Sequence, residues 1–130
     1  VQALGGPDQP AIGFAIGFDR LAEIVGLNPA DLIRPPDLFM AALGEKSQQM
    51  AFDWMCALGR QGVRAEIDYG DRSLKSQMKR ADKLGARYVL IIGEQEAAQG
   101  KATLRNMATR DQLEIPLERL VEVVRETIRP

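Results

Sequence analysis

Histidine is missing from this 130-residue chain, which excludes imidazole acid–base chemistry, His-ligated metal and the Ser-His-Asp and Cys-His catalytic arrangements. Cysteine occurs once, at Cys56, so an internal disulfide framework and a Cys-rich zinc site are excluded too. That thiol lies beside Met55 in a helical stretch and reads as packing. No apolar run approaches the roughly 20 residues of a membrane-spanning helix. Nothing at the start reads as a basic-then-apolar leader, and the cytoplasm is the expected compartment. An excess of either charge is also lacking: Lys+Arg number 17 and Asp+Glu 18, a net of −1. With no overall field to attract a polyanion, a nucleic-acid site has to come from local clustering of cations.

What is present is a globular composition, 45% apolar and 27% charged, on a chain long enough to bury a core without staples. Residues 11–18, Ala-Ile-Gly-Phe-Ala-Ile-Gly-Phe, predict a buried strand passing close to another backbone or a ligand. Residues 19–25 turn helical, with Leu21, Ile24 and Val25 on one face and Gly26 as the stop. One strand and one short helix cannot make a core, so residues 1–27 are expected to be the tail end of a larger domain. The apolar surface of residues 11–25 would then need a cover, for which a second copy of the chain is the expectation. Residues 28–36 end in Pro35-Pro36 and read as a stiff linker.

From residue 37 onward strands and helices alternate. Residues 38–43 are a continuous apolar strand, as when both faces of a sheet are covered. Met50, Ala51, Trp54, Met55 and Leu58 repeat at helical spacing over residues 45–60. Val63, Ala65, Ile67 and Tyr69 alternate with Arg64, Glu66 and Asp68, which predicts a strand over 63–69 with one wetter face. Ser73 suits the cap of a helix that runs to Leu84 and stops at Gly85, and residues 88–92 are the most apolar strand. Residues 101–107 and 112–115 read as two more strands around a turn at Thr109-Arg110-Asp111. Pro116 suits the first turn of a last helix with Leu117, Val121, Val124 and Ile128 along its seam. The expected fold is α/β: a three-layer α/β/α domain with a mixed, mostly parallel five-stranded sheet, three helices and at least one antiparallel late strand.

The helix over 73–84 carries the strongest chemical signal. Arg72, Lys75, Lys79 and Lys83 fall on one stripe, with Leu74, Met78 and Ala81 opposite, toward the core. Between residues 72 and 87 there are six basic side chains against one acid, Asp82. The placement opposes helix electrostatics, since Arg72 and Lys75 sit at the already positive N-terminus and Lys75–Lys79–Lys83 repel at four-residue spacing. Such a stripe suits phosphates, although a solvated helix face carries the same pattern. Gly93-Glu94-Gln95-Glu96 follows the apolar strand as a loop, the place where open α/β sheets hold ligands, and its carboxylates can accept from base donors. Arg105, in the strand leaving that loop, could face the same surface. The glycines of Gly13-Phe14-Ala15-Ile16-Gly17 would let a flat ligand approach the backbone, with Arg20 placed to meet a phosphate.

Taken together, these segments resemble the C-terminal end of bacterial histidyl-tRNA synthetases, in class II of the aminoacyl-tRNA synthetases. Residues 10–21, Pro-Ala-Ile-Gly-Phe-Ala-Ile-Gly-Phe-Asp-Arg-Leu, look like class II motif 3, with Phe18-Asp19 where Met/Leu-Glu is more usual. Residues 37–130 look like the anticodon-binding domain, with Arg-Ser-Leu-Lys-Ser-Gln-Met-Lys at 72–79 and Tyr-Val-Leu-Ile-Ile-Gly-Glu at 88–94 as the signature. The resemblance implies that Arg20 would bind the ATP phosphates, an electrostatic role, while Gly13 and Gly17 shape the adenine side. It implies a homodimeric parent enzyme that uses ATP and Mg²⁺ to attach histidine to its tRNA. The upstream motifs of catalysis are not in this sequence, so the chain alone is expected to be inactive and to need no cofactor.

The partner so implied is histidine tRNA, with neither DNA nor a membrane. Arg72, Ser73, Lys75, Gln77 and Lys79 would touch the tRNA, Arg72, Lys75 and Lys79 at its backbone, and Glu94, Glu96 and Arg105 would take anticodon bases. Two rivals stay open at this point. One is a synthetase-like regulatory subunit of histidine biosynthesis, which shares motif-3-like sequence but generally lacks an anticodon domain. The other is a flavodoxin-like interaction module, although Gly44-Glu45-Lys46 is a poor phosphate loop.

Overall fold

The computed structural model describes residues 2–10, 12–26, 28, 32–70 and 72–128. The chain divides into two compact units, Val1–Arg34 and Pro35–Pro130. Of the expected linker, Pro29, Ala30 and Asp31 lie outside the described residues, as do Ala11 of the motif-3-like run and Leu27 at its boundary.

The first unit holds α1 (Phe18–Val25), closed by Gly26 in the left-handed conformation at φ 60°. The strand expected over residues 11–18 does not form in the described part: residues 12–17 carry no regular structure. A strand is stable only with a neighbour to share its hydrogen bonds, and no other strand occurs among the described residues of this unit. Ile12, Phe14, Phe18 and Ile24 are each at least 79% exposed, so the run is not buried either.

The second unit is a five-stranded sheet in the order β2-β1-β3-β4-β5. Its strands are β1 (Leu38–Ala42), β2 (Ala65–Ile67), β3 (Tyr88–Ile92), β4 (Lys101–Asn106) and β5 (Gln112–Pro116). Around them lie α2 (Glu45–Gly59), α3 (Leu74–Leu84), α4 (Glu94–Ala98) and α5 (Leu120–Ile128). β1 pairs parallel with β2 and β3, while β4 pairs antiparallel with β3 and β5, so β4 alone is reversed. The sheet is therefore mixed and its strands mostly run one way, as the alternation of elements predicts. No helix among the described residues is long and apolar enough to cross a membrane.

Topology decides which helix meets which face. The chain steps from β1 to its neighbour β2 through α2, then returns past β1 to β3 through α3. Right-handed crossovers in opposite directions put the two helices on opposite faces. Leu38, Met40, Ala42, Leu90, Ile92 and Leu104 join a core with residues of α2 and α5, against which Ala97 of α4 also packs. Phe39, Ala41 and Val89 point the other way, to Ala81, Leu74 and Met78 of α3. One face thus carries three helices and the other a single helix. β1 is buried at every position, which accounts for its unbroken apolar sequence.

Three details depart from the pattern read in the sequence. β2 spans three residues rather than seven, because its partner register runs only from Leu38 to Met40. Glu94–Ala98 is a short helix, not a loop, so the unit has four α-helices among its described residues rather than three. Pro116 ends β5 rather than opening the last helix, and a 3₁₀ turn (Leu117–Arg119) separates it from α5. The seam of α5 is Leu120, Val124 and Ile128, with Leu117 and Val121 packed beside it.

Candidate nucleic-acid interface

The β2–α3 corner starts the site. Ser73 caps α3 by accepting the Ser76 N–H at 3.4 Å, and Gly85 closes it at φ 70°. Leu74, Met78 and Ala81 face the sheet, which leaves Lys75, Lys79 and Lys83 exposed along the helix. Among the described residues none of these three lysines is ion-paired.

Between α3 and β4 runs an open groove of about 600 Å³. Lys75 and Lys79 line one wall, and Arg105 with Arg110 line the other; Asp82 is the single acid among the described residues that line it. Leu74, Met78 and Met107 supply apolar surface to the same groove, so it offers cations at the rim and soft, polarizable side chains within. Arg105 reaches it because Ala102 and Leu104 bury themselves on the opposite face, and strand alternation then turns Thr103 and Arg105 toward α3. Arg105 Nε is buried with no hydrogen-bond acceptor, and a buried donor left unpaired costs about 1–3 kcal/mol, a debt that a ligand oxygen would cancel.

Arg110 is the residue that sequence reading missed here, taken only as part of a turn. It is the one non-glycine with positive φ among the described residues, at 67°. Asn106 organises the turn: its side-chain oxygen accepts the N–H groups of Ala108 and Thr109 at 2.9 and 3.2 Å, and its carbonyl accepts that of Arg110 at 2.9 Å. A glycine would suit that backbone better, and no local sequence pattern marks an arginine held in this conformation at a groove wall.

The remaining expected residues are distributed in four ways. Gln77 is fully buried rather than at the surface. Its Nε2 donates to the carbonyls of Ala42 at 3.0 Å and Arg72 at 2.8 Å, tying the end of β1 to the start of α3. It therefore shapes the site from beneath and is corrected as a direct contact. The spacing was informative: Gln77 lies three residues from Leu74 and four from Ala81, on the inward face. Arg72 is half-exposed and stands 3.7 Å from the buried Asp68 carboxylate, so it is partly neutralised.

Glu94 and Glu96 lie beyond the carboxyl end of β3, where the chain directions out of β1 and β3 diverge. Glu96 Oε2 accepts the Gly93 N–H at 3.0 Å and so caps its own helix. Glu94 is exposed and folds against Gly44, where a Cβ would come within 3.0 Å of its Oε1. Arg105 pairs in register with Val89, three residues or roughly 10 Å before the end of β3, and those carboxylates lie beyond that end. The structure groups Arg105 with Lys75 and Lys79, and not with Glu94 and Glu96.

Gly13, Gly17 and Arg20 belong to the first unit, and all three are exposed. A nucleotide needs walls for its ring and several donors for its phosphates. The described residues 12–26 offer an open segment and one guanidinium, which do not amount to an ATP–Mg²⁺ site, so no chemical step is derived from them.

Residues 37–127 match the family described as the anticodon binding domain. The chain belongs to that family. Over 124 residues it is 52% identical to the histidine–tRNA ligase of Desulfatibacillum aliphaticivorans, covering 95% of this chain and 30% of that protein. The crystal structure of Staphylococcus aureus histidyl-tRNA synthetase matches with a TM-score of 0.65 at 37% identity, over 68% of this chain and 26% of that one. The RNA binding domain of Cryptosporidium parvum threonyl-tRNA synthetase matches with a TM-score of 0.61 at 27% identity, over 71% of this chain and 23% of that one. The chain thus spans less than a third of the ligases it resembles. These matches carry the anticodon-binding reading over both the regulatory-subunit and the flavodoxin-like readings.

Proposed function

We propose that this chain is the part of a histidine–tRNA ligase that grips the anticodon arm of histidine tRNA, with the groove between α3 and β4 as the contact surface. The observation that carries the reading is the groove itself: Lys75, Lys79, Arg105 and Arg110 against one acid, over apolar side chains. Cations position an RNA backbone, and soft apolar surface accepts an unstacked base. Arg105, with its unpaired Nε, takes a base or a phosphate oxygen. Lys75 and Lys79 take backbone phosphates, while Arg72 and Ser73 mark the end of the track at the start of α3. Exposed Glu94, and Glu96 less so, would read a base that reaches over the β3 end.

In this reading the parent enzyme is a cytoplasmic homodimer that couples histidine to tRNA with ATP and Mg²⁺, and this chain alone does not aminoacylate. Exposed apolar side chains in residues 12–25 support a covered position for that segment in the whole enzyme or its dimer. Sedimentation of the chain as a monomer at high concentration would count against a second copy as the cover.

The test is a filter-binding titration of histidine tRNA against a tRNA with a different anticodon, at fixed moderate salt. Preferential binding of histidine tRNA, weakened by Lys75→Gln and Arg105→Gln, is the expected result. Equal affinity for both tRNAs would reject recognition of the anticodon.

A further inference from the structure

Helix α3 has a second cationic flank. Next to the groove just described, and sharing Lys79 with it, Arg72, Lys79, Arg80 and Lys83 line a depression of about 470 Å³ with Ser76 and Leu84, and no acid among the described residues lines it. Beneath this flank sits Asp68, just past β2, with 1% of its side chain exposed. Its Oδ1 accepts the Gly70 N–H at 2.9 Å and stands 3.6 Å from Arg80 Nη1. Its Oδ2 stands 3.7 Å from Arg72 Nη1 and makes no hydrogen bond.

Two guanidinium groups therefore share one buried carboxylate at distances too long for tight hydrogen bonds, which leaves their donors available. Gly70 makes room for the convergence: a Cβ there would come within 3.3 Å of both Arg72 Nε and Asp68 Oδ1. For stability alone a single arginine would neutralise Asp68. The second arginine, together with Lys79 and Lys83 four residues apart, adds repulsion that a purely structural cluster would avoid. Among the described residues one carboxylate lies under four cations, which leaves this flank positive.

We infer that the outer flank of α3, built by Arg72, Arg80 and Lys83 over Asp68, is a second phosphodiester-binding site, so that bound RNA straddles the helix. Asp68 is a positioning residue there: it holds the two guanidinium groups over the flank without quenching them. The two flanks meet at Lys79, with Lys75 on one side and Arg80 and Lys83 on the other, so different phosphates of the same RNA occupy them. The inference rests on the RNA-binding reading above and adds Arg80 and Lys83 to it.

The experiment measures binding of an RNA stem–loop carrying the histidine anticodon, across a salt series, to the full chain and its variants. Arg80→Gln/Lys83→Gln should weaken binding roughly tenfold and flatten the plot of log K against log salt by about 1.5, the loss of two phosphate contacts. Arg60→Gln/Arg125→Gln removes the same charge from the C-cap of α2 and from α5, on the far side of the sheet, and should leave the slope unchanged. Arg80→Lys/Lys83→Arg keeps both charges and should keep the wild-type slope. If the glutamine pair proves unstable, exposed Lys83→Gln alone should still flatten the slope by about 0.8. A wild-type slope in both the pair and Lys83→Gln, or equal flattening by the far-side pair, overturns the second site and leaves the first groove standing. A wild-type chain that does not bind the stem–loop overturns both.

Discussion

Arg110→Gly sets stability against binding at a single position. The arginine holds φ at 67°, and the left-handed region costs a side-chain-bearing residue roughly 1–2 kcal/mol. Glycine removes that penalty but loses about 0.5–1 kcal/mol to its freer unfolded chain. The net gain should be about 0.5–1 kcal/mol, a rise in Tm of about 3–6 °C for a domain of this size. The backbone bonds of the turn run through Asn106 and survive the change. Binding should move the opposite way, because the groove loses one of its four cations; a charge-assisted contact worth about 1 kcal/mol corresponds to a roughly fivefold weaker Kd. Thermal melts and filter binding on the same preparation decide it. A higher Tm with unchanged RNA affinity would make Arg110 a tolerated turn residue and nothing more. A lower Tm would show that its side chain carries structural contacts that outweigh the backbone strain.

Other substitutions separate support from contact. Gln77→Leu keeps the volume but leaves the Ala42 and Arg72 carbonyls without their donor, so urea unfolding should show a loss of about 2–4 kcal/mol; weaker RNA binding at unchanged stability would restore Gln77 as a direct contact. Gly44→Ala meets both a φ of 88° and the Glu94 carboxylate 3.0 Å from the new Cβ, so the midpoint should fall by the equivalent of about 1–3 kcal/mol. Adding Glu94→Ala to it should recover part of that loss, and no recovery would remove the steric argument.

Asp37 supplies the pH dependence. Burial alone would raise its carboxyl, but hydrogen bonds from the Arg64 side chain and backbone and the charges of Arg64 and Arg87 outweigh it, and the group lies below the ordinary carboxylate range. A depressed folded-state pKa stabilises above the unfolded value, near 4, and that contribution fades as pH falls through the folded one. Asp37→Asn should therefore be less stable than wild type at neutral pH, with the gap closing on acidification below about pH 4. A gap that stays constant from pH 7 to pH 2 would contradict the assignment.

The domain's framework was readable where local chemistry and burial agree. Ser73 and Gly85 bracket α3 at the residues whose side chain and missing side chain those ends require. The apolar run 88–92 is β3, residue for residue. Reading failed where a distant partner decides. Residues 12–17 have the composition of a strand but no strand partner among the described residues of their unit. Glu94 to Ala98 looks like a polar loop because a helix of one turn or so has no room to show periodicity; the Glu96 cap is its main local signal.

The site divides in the same way. The lysine stripe of α3 was legible from spacing. That Arg105 joins it, and not the nearby carboxylates, depends on a strand register no local pattern fixes. Gln77 was misjudged because its polarity outweighed its position, although the spacing already placed it inward.

The lopsided layering, three helices on one side of the sheet and α3 alone on the other, has a practical outcome. Most of the domain's anchorage is lodged where RNA is not expected to reach, and one wall of the proposed contact surface is a single rod with its underside fixed by Leu74, Gln77, Met78 and Ala81. Its outward positions can be rewritten to suit another loop sequence while the foundation stays as it is.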